Sequence, residues 1–212
     1  MSDDESVPAS EPADGAGDAA EPERPERPEW DDPYLDEVAE RLVFNYDLER
    51  DRRVNGERFE LYGRLLIESR KQFIHESIRY ANQSVHEHLL ATRHDGVTVR
   101  ELDRLVDLGN RLADEWIDAD EEHKSTEFTF VLVTDAIPDG VRERVAGFRD
   151  RTLIKYGYYG HYEVNLVVVA PEQEAYVASE SADVWRAFAP WADEDPDATP
   201  GLLGRLKGLF GR

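Results

Sequence analysis

Phe128-Thr129-Phe130-Val131-Leu132-Val133-Thr134 carries apolar side chains at both odd and even positions. A strand with one wet face alternates; one covered on both faces does not, so this stretch predicts a central strand. Just upstream, Thr98 and Glu101 have the spacing of a capping box, and Leu102, Leu105, Val106, Leu112, Ala113 and Trp116 follow on one stripe. That pattern predicts an amphipathic helix over about 99–118. Downstream, Pro138 opens a short helix running through Phe148. Residues 152–158 and 161–169 then predict a hairpin around Tyr159-Gly160, ending in the buried-type run Val164 to Val169.

Farther out, Asp32 and Pro33 suit an N-cap and first helical position, and Leu35, Val38, Ala39 and Leu42 recur at helical spacing. A helix over about 33–42 follows. Asn55-Gly56 is a type I′ turn signal that pairs about 43–52 with about 57–69. Ser84 to Arg93 fits a strand or a short helix and is read here as a strand; a last helix over about 181–189 carries Val184, Trp185 and Phe188. Early hairpins followed by a strand–helix–strand unit predict an α+β fold. Its sheet would be mixed and largely antiparallel, with helices packed mainly on one face.

The chain has 212 residues, no Cys, 40% hydrophobic residues and a net charge of −22. A real core is therefore expected, while disulfides, thiolate metal sites and Cys nucleophiles are excluded. Residues 1–32 hold 12 acids and 2 bases, residues 33–192 hold 31 and 20, and residues 193–198 add four acids. Only four of the 25 bases are Lys: Lys71, Lys124, Lys155 and Lys207. Acidity spread this evenly, with few Lys and no Cys, matches a cytoplasmic protein of a salt-in halophile. In molar salt the Debye length is only about 3 Å, so the charge marks the solvent more than a basic partner. No apolar run is long enough to span a bilayer and no signal-peptide core is visible. The expected organisation is a disordered acidic arm (1–29), one domain (30–192), an acidic linker (193–200) and an amphipathic basic tail (201–212).

Three segments together resemble a known group of sequences. They are Ala119-Asp120-Glu121-Glu122-His123 through Thr126-Glu127-Phe128-Thr129-Phe130, Gly147-Phe148-Arg149-Asp150-Arg151-Thr152-Leu153, and Gly157-Tyr158-Tyr159-Gly160-His161-Tyr162-Glu163. The stretch from Trp30 to Trp191 is similar to a family of uncharacterised haloarchaeal proteins. The resemblance implies a salt-adapted domain and transfers no activity.

Several residues are candidates for chemistry. His161, Glu163 and Asn165 fall on one face of a strand and run into Val167 and Val169. A polar row entering an apolar run marks the rim of a core. With Glu127 or Asp135 nearby it would suit a metal or acid–base site, against the plainer reading of a solvated strand end. His86 and His88 would share a face on a strand, as metal-binding pairs do, but would lie about 200° apart on a helix. Asp118, Asp120, Glu121 and Glu122 with His123 would suit a hard cation, but they lack the glycine and spacing of a calcium loop and read as a solvated helix end. Asp135 and Glu163 suggest the paired acids of metal-dependent nucleases, yet Asn165 stands where that pattern needs Lys.

Tyr156, Tyr158, Tyr159 and Tyr162 cluster at one hairpin, a pattern that would suit stacking on bases or sugars. Tyr156 and Tyr158 share a face with Ile154, which assigns both rings to the core. No basic stripe accompanies them, so nucleic acid is an unfavoured partner, and no nucleotide-binding or hydrolase motif is present. No cofactor is predicted. In the tail, Leu202, Leu203, Leu206, Leu209 and Phe210 occupy one helical face, flanked by Arg205, Lys207 and Arg212. That pattern suits reversible contact with a membrane surface or a protein partner. The function expected is a non-enzymatic interaction or accessory protein, with a metal- or small-ligand-binding enzyme as the alternative.

Overall fold

Two crossovers organise the molecule. The computed structural model describes residues 25–70 and 82–192. The elements are α1 (Pro33–Leu42), β1 (Asp47–Val54), β2 (Glu57–Arg70), β3 (Asn82–Arg93), α2 (Val99–Trp116), β4 (His123–Val133), α3 (Asp139–Ala146), β5 (Asp150–Leu153), β6 (His161–Ala170), β7 (Ala175–Ala178) and α4 (Trp185–Phe188). The strand order is β1-β2-β3-β4-β6-β5, with β7 also paired to β6. The pairs β3–β4 and β4–β6 are parallel and the others antiparallel. The fold is thus α+β, and β4 is central as its two apolar faces required.

Parallel neighbours need crossovers, and α2 and α3 supply them. Both connections step the same way across the sheet, so right-handed crossovers put both helices on one face. There Leu102, Leu105, Leu108 and Leu112 of α2 join Phe128, Phe130, Val164 and Leu166 in one core. Thr98 Oγ1 accepts the Glu101 N–H at 3.2 Å, the N-cap half of the expected box. Gly109 lets the helix settle closely, since a Cβ there would stand 2.8 Å from a methyl of Val164. On the opposite face, Leu35, Val38, Ala39 and Leu42 of α1 and Phe188 of α4 cover Leu89, Val131, Val133, Val167 and Val169. Tyr34 Oη donates to the Phe188 carbonyl at 2.5 Å, tying this smaller cover together.

Several boundaries differ from expectation for local reasons. β1 begins at Asp47 rather than near Val43, because Val43 is the αR C-cap of α1 and its N–H bonds Ala39 O. The Asn55-Gly56 turn is as expected, with φ of 47° and 87°. Ser84–Arg93 lies within a strand. The final helix shortens to Trp185–Phe188, and β7 appears where no strand was read. Four-residue elements carry too little periodicity to stand out. The chain already touches the body at Arg27, whose guanidinium bonds Asp36 and Glu40 at 2.6 and 2.9 Å. This contact holds the Asp36 carboxyl down at about 2. Most of the expected arm (1–24), the linker (193–200) and the tail (201–212) lie outside the described residues.

Candidate functional site

The parallel register decides which candidates meet. Glu87, Glu127 and Glu163 stand abreast on β3, β4 and β6, on the face that continues into the α1 core. Adjacent strands are about 4.8 Å apart, so like charges in such a row need compensation. Part of it comes from Arg151, whose Nε is 3.5 Å from Glu163 Oε1; His161 Nε2 lies 3.4 Å from the same oxygen. Tyr46 Oη donates to Glu87 Oε2 at 2.5 Å. Burial first, then the Glu87 charge, pushes the Tyr46 phenol well above its usual range. His161, Glu163 and Asn165 do share this face. Asn165 is buried, takes a 3.3 Å hydrogen bond from Ser179 Oγ, and keeps Nδ2 without a partner among the described residues. Burial, and next the Arg151 charge, lowers the His161 pKa.

Asp135 does not join this row. It follows the C-terminal end of β4, eight residues beyond Glu127, roughly 26 Å away at strand rise. The paired-acid geometry of a nuclease is therefore absent for Asp135 and Glu163.

His86 and His88 also point away from the row, because even-numbered residues of β3 face α2. They share that face, as the strand reading requires, but each is engaged in packing. His88 stacks on Phe128 at 5.2 Å and meets Trp116 edge-on at 5.0 Å. Its Nδ1 is hydrogen-bonded to Tyr62 Oη at 2.7 Å. Burial drives its pKa down to about 4, so the ring is neutral at ordinary pH. Arg52 lies over the Tyr62 ring at 4.0 Å and closes the cluster from β1. His86 instead stacks on His123 at 6.4 Å. Among the described residues no group of three or more His, Asp or Glu is placed to hold a metal ion.

The loop between β5 and β6 overturns one expectation. The predicted strand over 152–158 ends at Leu153, and the chain coils through a tight turn at Ile154–Gly157. Lys155 and Tyr156 both adopt left-handed φ/ψ, followed by Gly157 at φ 89°. Tyr156 and Tyr158, assigned to the core by period-two alternation, are instead 95% and 85% exposed. Alternation fails because the turn breaks the strand between Leu153 and His161. The sequence signal was Gly157 and Gly160, two residues able to take positive φ, within four positions.

The loop is held rigidly from beneath. The Tyr159 carbonyl accepts from His123 Nδ1 at 2.7 Å, which places the ring proton on Nδ1, and His123 Nε2 lies 2.9 Å from Thr126 Oγ1. Gly160 sits so close to β4 that a Cβ would be 2.0 Å from the Lys124 carbonyl. Ile154 N–H donates to Gly160 O across the loop mouth at 3.0 Å. Leu153, Tyr156 and Tyr158 make up half of the large hydrophobic side chains exposed among the described residues. The tail residues Leu202, Leu203, Arg205, Leu206, Lys207, Leu209 and Phe210 lie outside the described residues.

Together these features define a two-faced α+β domain that displays a braced aromatic loop at one sheet edge. The chain belongs to the family described as a domain of unknown function, DUF8052, whose model matches residues 31–190. That span agrees closely with the stretch from Trp30 to Trp191 that carried the resemblance. No curated protein and no solved structure matches the chain.

Proposed function

We propose that this chain is a non-enzymatic interaction module that engages a partner polypeptide through the loop Leu153–Gly160. One observation carries the reading: two tyrosines almost wholly in solvent, on a turn with two consecutive non-glycine residues at positive φ. A left-handed conformation costs a non-glycine residue roughly 1–2 kcal/mol. Exposed rings add no burial to offset it, so the strain is explained by what the rings contact. Tyrosine is also enriched among interface anchors, because its large ring is ordered at small entropic cost.

The working environment proposed is a halophile cytoplasm. The apolar stripe of residues 201–212 would add a reversible tether to a membrane surface or to the same partner. The test compares proteins retained in molar salt by wild type and by Tyr156→Ser/Tyr158→Ser, with circular dichroism confirming an unchanged fold. Loss of specific retained proteins supports the module; an identical set rejects it. Deleting residues 199–212 and fractionating cells tests the tether, which an unchanged membrane share would exclude.

A second reading, small-ligand binding at the His161–Glu163–Asn165 row, is favoured by the buried, unpartnered Asn165 Nδ2. Metal analysis and ligand-induced melting shifts, wild type against His161→Ala, separate it from the first.

A further inference from the structure

The loop has a second exposed feature beside it. β5 ends its path in the sheet: it pairs with β6 on one side, and no strand pairs with its outer edge among the described residues. Arg151 and Leu153, two apart on this edge strand, lean to one face and are both exposed, although Arg151 also lies 3.5 Å from Glu163. Lys155 and the two tyrosines follow at its end. Lys124 touches the loop through its backbone at Gly160, and its charge reaches His161. Neither Lys124 nor Lys155 is ion-paired among the described residues. In a chain of net charge −22, both lysines among the described residues stand at this one corner.

We infer that β5 accepts an extended acidic–apolar peptide as an added strand, with its acidic residue opposite Arg151 and Lys155 and its apolar residue against Leu153, Tyr156 and Tyr158. This rests on the loop being the contact surface and specifies what it contacts. Strand addition uses the backbone groups of an open edge for affinity, while alternate side chains set specificity. Cross-strand neighbours of opposite charge, or of matched apolar character, favour each other, which places the peptide's acid and its apolar residue two positions apart on one face.

The site is short. Arg149 is ion-paired to Glu180 at the start of β5, and Glu121 and Glu122 lie just ahead of Lys124. A partner with one or two acids fits between them. A duplex nucleic acid, with one charge per roughly 1.7 Å, would extend beyond these few cations onto an acidic surface.

The test is selection of a random 12-residue peptide library on phage against the full chain, then anisotropy of the best-enriched peptide. Enriched sequences should carry an acidic residue two positions from an aliphatic or aromatic one. Binding should weaken at least about tenfold with Tyr156→Ser/Tyr158→Ser, and equally when alternate peptide nitrogens are methylated, a factor that corresponds to about 1.4 kcal/mol. Loss on the tyrosine changes with no effect of N-methylation, or enrichment without acids, rejects strand addition and leaves the loop as contact surface. Unchanged binding to the tyrosine variant rejects both. No enrichment over protein-free resin, or tyrosine-dependent binding of oligo-dT instead, also overturns the acidic-peptide assignment.

Discussion

The two edges of the sheet meet water in opposite ways. β1, eight residues long, reads Asp-Leu-Glu-Arg-Asp-Arg-Arg-Val and spends its charges within the molecule. Arg50 pairs with Asp31 and Asp51, Arg58 with Asp51, Arg52 with Glu49 and Arg64 with Asp47. Asp51 kinks the strand at φ 58°, and Arg52 folds over Tyr62. Charges and a kink are how an edge avoids pairing with another chain. β5 carries Asp150 and Arg151, the latter 3.5 Å from Glu163, but no kink along its four residues, and it leads into exposed rings and a lysine that is not ion-paired among the described residues. One edge is closed by its own ion pairs and a kink; the other is the edge that we propose a partner strand completes.

The comparison can be broken from either side. The largest effect is expected from Gly160→Ala, which puts a Cβ into the Lys124 carbonyl at a positive φ. It should cost about 3 kcal/mol in denaturant unfolding and raise amide exchange over 153–161. Normal exchange there would mean that the loop is not braced against β4.

Acid should act next, on the cluster behind the closed edge. His88 has its pKa lowered from 6.5 to about 4. The folded state therefore binds fewer protons than the unfolded state between those values. Its stability is intact above about pH 6.5 and falls as pH drops towards 4, by about 2–3 kcal/mol. Unfolding midpoints across that range should flatten in His88→Gln; an identical slope would place the titration elsewhere.

Arg52→Ala should cost about 1 kcal/mol, through the lost contact over Tyr62 and Trp116 and the exposed pair with Glu49. Thermal melting at fixed salt reads it. The smallest effect is the sharpest: Tyr156→Ser and Tyr158→Ser should each shift stability by no more than about 0.5 kcal/mol. A larger loss would make the rings structural and dissolve the contrast between the edges.

Much of the architecture was legible where side chains repeat at a strong period. α1 spans the expected residues, α2 lies within two residues of its expected end, and Asn55-Gly56 forms the expected turn. β4 is central because a two-faced apolar strand has nowhere else to go. The candidate row was legible only as a face: alternation aligned His161, Glu163 and Asn165, but not their neighbours Glu87 and Tyr46. Register across strands joins residues some forty positions apart, and no local pattern encodes it. For the same reason His86 and His88 were offered to a site that lies through the sheet from them.

By itself, then, the sequence determined the element types, the turn chemistry and the charge of the surface, because these follow from local periodicity and side-chain identity. Only the tertiary structure decided that three glutamates stand abreast, that His88 is shut among aromatic rings, and that Tyr156 and Tyr158 face water. The last goes with the turn at Ile154–Gly157 and with Gly160 pressing against Lys124, a contact between residues distant in sequence.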